Sequence, residues 1–294
     1  MIFDLKEITI AQRQNYLQSA IAPRPIALVS TVNQAGQINL SPFSFFNLFS
    51  AQPPILVFSP SLRVRDNSTK HTLENILEVP QAVVHIVDYD MVNQTSLSSC
   101  EYPKEINEFL KSGFTQEPAS LVRPPMVKES KIKMECQVLE VKPLGEKAGA
   151  GNLVISEILL MHIDDSILNE QGLIDQRKLQ QVGRLGGNWY CQVDASNLFE
   201  VEKPNTKLGV GFDALPSSIR QSRILTGNDL ALLANFQQIP DPDTNLSFDN
   251  IRLKNIFQYF SLHPDEMEKE IHLYAKELIS EGKLTEAWQA LLRI

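Results

Sequence analysis

The chain has 294 residues, 43% of them hydrophobic and 21% charged, with 27 basic and 35 acidic side chains and a net charge of −8. That length exceeds the usual single domain of about 100–150 residues, so one large domain with an extension, or two domains, is expected. The acidic balance argues against nucleic acid or anionic lipid as a global partner, and the stretch around Asp4 and Glu7 does not read as a signal peptide.

Three cysteines, Cys100, Cys136 and Cys191, form no CxxC pair. Sparse thiols of this kind fit a reducing, cytoplasmic setting, with each thiol buried and inert.

Pro25–Val32 reads as a buried strand, Asn33–Gly36 as a turn, and Gln37–Ser41 as the returning arm of a hairpin. Pro54–Ser59 is the third strand, Thr72–Glu78 a short helix stopped before Pro80, and Gln81–Val87 the next strand. Helical spacing then extends from about Asp90 to Lys111. Two longer alternating runs follow, Lys131–Val141 and Asn152–Ile163; in the first, Ile132, Met134, Cys136 and Val138 share one face. At least six strands with few helical crossovers point to a closed antiparallel barrel rather than a doubly wound sheet. Beyond Tyr190 the texture changes: Asp229–Phe236, Phe248–Phe260, Asp265–Ile279 and Leu284–Leu292 read as helices separated by proline-containing turns.

From Pro25 to Leu62 no side chain is charged, and then Arg63, Arg65, Asp66, Lys70 and His71 arrive together. Apolar residues, hydroxyls and amides suit a flat uncharged ring, and a cationic cluster suits a phosphate. Ring followed by phosphate describes a mononucleotide such as a flavin. On the residues alone, a polar barrel edge with an aromatic patch (Phe43, Phe45, Phe46) and a solvated basic loop fit the same pattern. Gly183-Arg-Leu-Gly-Gly187 fails the dinucleotide spacing and reads as a tight loop. His85 and His162 read as core or barrel-facing, His263 and His272 as surface, and no metal site or hydrolytic triad is spelled out.

Several ordered segments carry a family resemblance: Arg24-Pro-Ile-Ala, Asn39-Leu-Ser-Pro-Phe-Ser-Phe-Phe46, Pro53-Pro54, Arg65 to Lys70-His-Thr72, Asn75-Ile76, Glu108-Phe109, Pro124-Pro125, Glu129-Ser130, Glu135-Cys136 and Arg184-Leu-Gly-Gly-Asn-Trp-Tyr190. Over roughly residues 15–195 the chain resembles the flavin reductase-like proteins with an FMN-binding split barrel. The resemblance implies a mostly β fold: an antiparallel split β-barrel over residues 1–200, followed here by a helical extension over 201–294. It implies FMN as cofactor, NADH or NADPH as electron donor, and a homodimer with FMN near the subunit interface.

Carried over by position, Asn39, Ser41, Ser44 and Phe45 match the segment lining the flavin ring, and Arg63, Arg65, Lys70 and Thr72 are the phosphate candidates. Thr72 is also placed to cap its helix. Arg24, Arg184 and Tyr190 are further pocket candidates. The family commonly shows Lys-Asp-Thr where this chain has Lys70-His71-Thr72, which replaces an acid by a base.

The functional expectation is an FMN-binding oxidoreductase of the NAD(P)H-dependent flavin reductase type. A non-catalytic electron carrier, or an FMN enzyme acting on an organic substrate, are the alternatives. No nucleic acid, membrane or metal is expected as partner. The apolar stripes of the tail (Leu230, Leu232, Leu233 and Phe236; Ile256, Phe257 and Phe260) are expected to bury against the barrel rather than in a core of their own.

Overall fold

The computed structural model describes residues 1–202, 204, 207–242 and 250–293. The chain divides into two compact units, Met1–Phe199 and Glu200–Ile294.

The first unit is built on strands β1 (Arg24–Pro25), β2 (Ala27–Val32), β3 (Ile38–Phe43), β4 (Phe46–Ala51), β5 (Pro54–Phe58) and β6 (Gln81–Ile86). Then come β7 (Gln116–Glu117), β8 (Met126–Val127), β9 (Ile132–Pro143), β10 (Asn152–Ile163), β11 (Val182–Arg184) and β12 (Tyr190–Gln192). Seven of them form one antiparallel sheet in the order β3-β2-β6-β9-β10-β5-β4. Its two edges, β3 and β4, are consecutive in sequence and joined only by Ser44 and Phe45. The sheet must therefore curl until its edges approach, yet β3 and β4 are not neighbours in the ladder. This is a split barrel.

Its interior is filled from all sides. Ala27 and Val29, Phe43, Leu56 and Phe58, Ala82 and Val84, Met134 and Cys136, and Val154 pack in one cluster. Phe43 and Phe58 meet across the split with ring centroids 5.5 Å apart. The polar faces of β9 and β10 follow the two-residue period of a sheet with one wet side.

Three sequence expectations change here. Strand β4 was hidden in the Phe-rich neutral run, because most of its residues are exposed and the period-two contrast is weak. The helical stretch expected over Asp90–Lys111 is two short helices, α3 (Val92–Leu97) and α4 (Glu108–Ser112), with an irregular segment between them. Pro103 and the serine pair Ser98-Ser99 prevent a continuous helix there. Cys100, expected to be buried, is exposed on that segment, whereas burial pushes the Cys136 thiol up to about 12.

The second unit is helical, with its longer elements at Gly227–Ala234, Ile251–Tyr259, Pro264–Ser280 and Leu284–Leu291. Part of the helix expected over Phe248–Phe260 lies outside the described residues. Leu230, Leu233, Leu253, Ile256, Ile271, Leu278 and Trp288 form a core with one another. Phe236, Phe257 and Phe260 pack against that same core, and Leu232 is exposed. The stripes thus have partners within their own unit, because each helix offers an apolar face to the next. His272, expected at the surface, is buried there, with its Nδ1 2.8 Å from Ser222 Oγ.

Candidate functional site

The split places a turn, a loop and two helices around one cavity. Helix α1 (Ile10–Ala20) opens with a capping box between Thr9 and Gln12 and contributes Gln14 and Gln18 to the lining. The β3–β4 turn contributes Pro42 to Phe45, and the loop after β5 contributes Ser59, Ser61, Arg63 and Arg65. The cavity holds about 340 Å³, and two neighbouring hollows share Arg63 and Glu101 with it.

The loop is tied at both ends. Leu62 N donates to Ala150 O at 2.8 Å, and Arg63 N donates to Ser68 O at 2.9 Å. Asp66 closes the turn by accepting from Ser68 N at 3.0 Å, and those Ser68 bonds together with Arg65 hold its carboxyl well below the usual range. The Arg63 guanidinium donates to Ser68 Oγ at 2.9 Å and to the Thr69 carbonyl. Its Nε donates to Glu101 Oε1 at 3.2 Å. Arg65 is largely exposed, and it pairs with Asp66 at 3.0 Å and with Glu101 at 3.1 Å.

Helix α2 (His71–Glu78) begins beside these arginines, with Lys70 as its N-cap residue and no side-chain cap. Its first backbone N–H groups have no intrahelical acceptor, and the helix dipole favours an anion there. Lys70 Nζ makes no hydrogen bond among the described residues; its pKa is lowered by burial first and by Arg63 next, with Glu101 opposing. His71 is likewise lowered by burial, so it adds little positive charge at neutral pH.

The ring-side candidates divide. Ser44 and Phe45 line the cavity beside Arg63, Arg65 and Lys70. Asn39, Ser41 and Thr72 line an adjoining hollow of about 20 Å³. Asn39 is buried and committed: its Nδ2 donates to Glu108 Oε1 at 2.9 Å, and its Oδ1 accepts from Thr72 Oγ1 at 2.6 Å. Thr72 spends its hydroxyl on Asn39 and does not cap α2, which starts one residue earlier than expected. Both residues brace the cavity wall.

Arg24, Arg184 and Tyr190 form a separate group. Arg24 is buried and donates to the carbonyls of Gln18, Ile21 and Leu185. It therefore ties the end of α1 to the β11–β12 hairpin. Arg184 stacks over the Tyr190 ring at 4.5 Å. The hairpin turn fits against α1 because Gly186 has no side chain: a Cβ there would lie 2.1 Å from Ser19 Oγ. The glycine-rich loop thus packs closely on α1, and Arg24 reaches the cavity lining through the carbonyl of Gln18.

Gln14, Gln18 and Glu101 escaped the sequence reading, and Glu108 entered it only within the family resemblance, with no role assigned. The amides of α1 carry no distinctive spacing, and of the two acids Glu101 sits inside the break between α3 and α4 and Glu108 opens α4.

The family model for the flavin reductase like domain matches residues 19–183, which lie within the first unit and span more than half of the chain. The chain belongs to the flavin reductase-like family. A protein of Aquifex aeolicus is 35% identical to it over 192 residues, 65% of this chain and 95% of the relative. Among solved structures, nitrilotriacetate monooxygenase component B from Bacillus cereus is 28% identical with a TM-score of 0.64, covering 68% of this chain and 98% of that one. The 2-nitrobenzoate 2-nitroreductase of Pseudomonas fluorescens is 26% identical with a TM-score of 0.62, covering 74% and 99%. In this flavin reductase-like chain the cavity lies at the split of the family barrel. Among its described residues, no helix is long and apolar enough to cross a membrane.

Proposed function

We propose that this chain binds FMN in the cavity at the barrel split and works as an oxidoreductase, taking hydride from NADH or NADPH and passing electrons to a small-molecule acceptor. One observation carries the reading: a single cavity runs from the uncharged β3–β4 turn to a loop bearing Arg63, Arg65 and Lys70. The donor set fits a phosphate monoester, with two guanidinium groups, an amine that has no hydrogen-bond partner among the described residues and a helix N-terminus. Membership of the flavin reductase-like family and the likeness to a monooxygenase component and a nitroreductase support the redox assignment.

Bound FMN would supply the hydride and electron chemistry. The chain's own task is to hold and orient. Phe45 offers an apolar face beside a flat ring, and the turn backbone and Ser44 offer hydrogen-bonding groups to its polar edge. Arg63 is fixed by Ser68 and the Thr69 carbonyl, so it presents its charge with little conformational freedom left to lose. Lys70 adds a point charge beside the start of α2.

Anaerobic mixing of the FMN-loaded protein with NADH or NADPH tests the proposal. Rapid bleaching of the flavin absorbance with one donor is the expected result. No bleaching with either would overturn the nicotinamide-linked reductase and leave an electron carrier or an FMN enzyme with another reductant.

A homodimer belongs to the same proposal. Edge strand β4 presents Leu48 and Phe49 at 61% and 68% exposure, and a two-fold partner is the commonest way to cover such an edge. Light scattering that finds a monomer at micromolar concentration would refute it.

A further inference from the structure

Glu101 stands on the irregular segment between α3 and α4 and divides its carboxylate between two guanidinium groups. Oε1 lies 3.2 Å from Arg63 Nε, and Oε2 lies 3.1 Å from Arg65 Nη1. It lines the main cavity and both neighbouring hollows. A carboxylate and a phosphate ask the same thing of a guanidinium: N–H donors aimed at anionic oxygens. They also repel each other, so the two anions cannot both take full advantage of the same arginines. Glu101 is itself 43% exposed at the side chain, and no helix or strand fixes its backbone, so it can give way at modest cost. Lys70 Nζ, by contrast, has no carboxylate hydrogen-bonded to it among the described residues.

On the reading that this cavity takes a flavin phosphate, we infer that Glu101 is a built-in competitor for that phosphate. It neutralises Arg63 and Arg65, yields them when a phosphate monoester binds, and thereby sets how strongly the site prefers phosphorylated over unphosphorylated ligands. Lys70 and the start of α2 make the first contact with the incoming anion, and the arginines exchange Glu101 for it.

Calorimetric titration of the full chain tests this, comparing wild type with Glu101→Gln and Glu101→Ala against FMN, riboflavin and inorganic phosphate. Both variants should bind FMN about tenfold more tightly than wild type, a coupling of about 1.4 kcal/mol. Riboflavin affinity should stay within about twofold, and the dependence of FMN affinity on salt should steepen as the net charge at the site rises. Equal or weaker FMN binding in both variants would overturn the inference, because Glu101 would then serve to hold the arginines in place. A parallel gain for riboflavin would also overturn it. Inorganic phosphate separates this inference from the flavin reading. If phosphate binds more tightly to the variants while none of the three proteins takes up flavin, the competitor stands and the flavin assignment falls. If FMN binds all three alike, only the competitor falls.

Discussion

Glu108 clamps Asn39 onto the wall of the cavity. Its Oε1 accepts from Asn39 Nδ2 at 2.9 Å, and its Oε2 accepts from the backbone N–H of Leu40 at 3.0 Å. Leu40 lies on β3, an edge of the sheet, so this carboxylate satisfies an edge donor that the ladder leaves over. Helix α4 can present Glu108 there because Asn107 caps its start and Gly113, at φ +73°, closes its end. Burial pushes the Glu108 carboxyl up, and the bonds from Leu40 and Asn39 only partly offset that.

Replacing Glu108 with Ala should therefore leave two buried donors without acceptors. At about 1–3 kcal/mol for each, the loss should be roughly 2–6 kcal/mol. Glu108→Gln keeps one acceptor oxygen and should fall between that variant and wild type. Urea unfolding followed by circular dichroism gives the ranking, and Ala and wild type within about 0.5 kcal/mol would refute the clamp.

Lys70 should matter more than Arg65 for FMN binding. Arg65 is 73% exposed at its side chain and already paired with two acids, whereas Lys70 has no hydrogen-bond partner for its amine among the described residues. Lys70→Ala should weaken FMN binding by about 1.5–3 kcal/mol, and Arg65→Ala by less. Riboflavin, which has no phosphate, should respond to neither. Fluorescence titration measures all three, and equal losses for both variants would refute the order.

The same amine predicts a pH dependence. Burial lowers the Lys70 pKa below its usual value near 10.5, and a bound phosphate would raise it again. Since the phosphate prefers the charged amine, FMN affinity should be constant between the phosphate's own second pKa, about 6, and the lowered pKa of the amine. It should fall as pH rises through that value and level off above the raised one. Lys70→Arg, charged throughout, should flatten the profile. An identical decline in both proteins would assign it to another group.

His85 predicts acid sensitivity of the barrel. It is fully buried, with Nδ1 at 2.7 Å from Leu28 O and Nε2 accepting from Val127 N at 2.9 Å. Those partners require the neutral ring protonated at Nδ1, and burial lowers its pKa to about 3. A folded value below the unfolded one means that the stabilisation is complete above about pH 6.5. It is lost as the pH falls towards 3. The full loss is on the order of 5 kcal/mol, at about 1.36 kcal/mol per unit. Denaturant unfolding across that range should show stability dropping with acid, and NMR should find the ring neutral at pH 5, about one and a half units below its unfolded value. A protonated ring at that pH would refute this.

The helical unit should depend on Trp288. This side chain is fully buried, donates from Nε1 to Leu233 O at 3.2 Å and meets Phe236 edge to face with centroids 6.3 Å apart. Trp288→Ala should cost about 3–5 kcal/mol in that unit. Residues 200–294 expressed alone should unfold cooperatively, and the substitution should abolish or sharply weaken that transition. A chain ending at Phe199 should bind FMN as the full chain does, since every described residue lining the cavity precedes that point.

The sequence by itself determined the strands with strong contrast and the order of the chemistry. β2, β3, β5, β6, β9 and β10 declare themselves through apolar runs or alternation, because a buried or half-buried strand must repeat its pattern every second residue. The neutral run before a cationic loop likewise survives folding as one cavity, because Ser44, Phe45, Arg63, Arg65 and Lys70 are close enough in sequence for a curled sheet to gather them. Only the tertiary structure decided which polar groups face a ligand. Asn39 is spent on Thr72 and on Glu108, 33 and 69 positions further on, and Arg24 is spent on backbone carbonyls. Hydrogen-bond partners so distant leave no local mark. The same holds for Glu101, which reaches Arg63 and Arg65 only because the chain between α3 and α4 returns across the loop. It holds too for the tail, where short amphipathic helices look the same whether they cover a neighbour or one another.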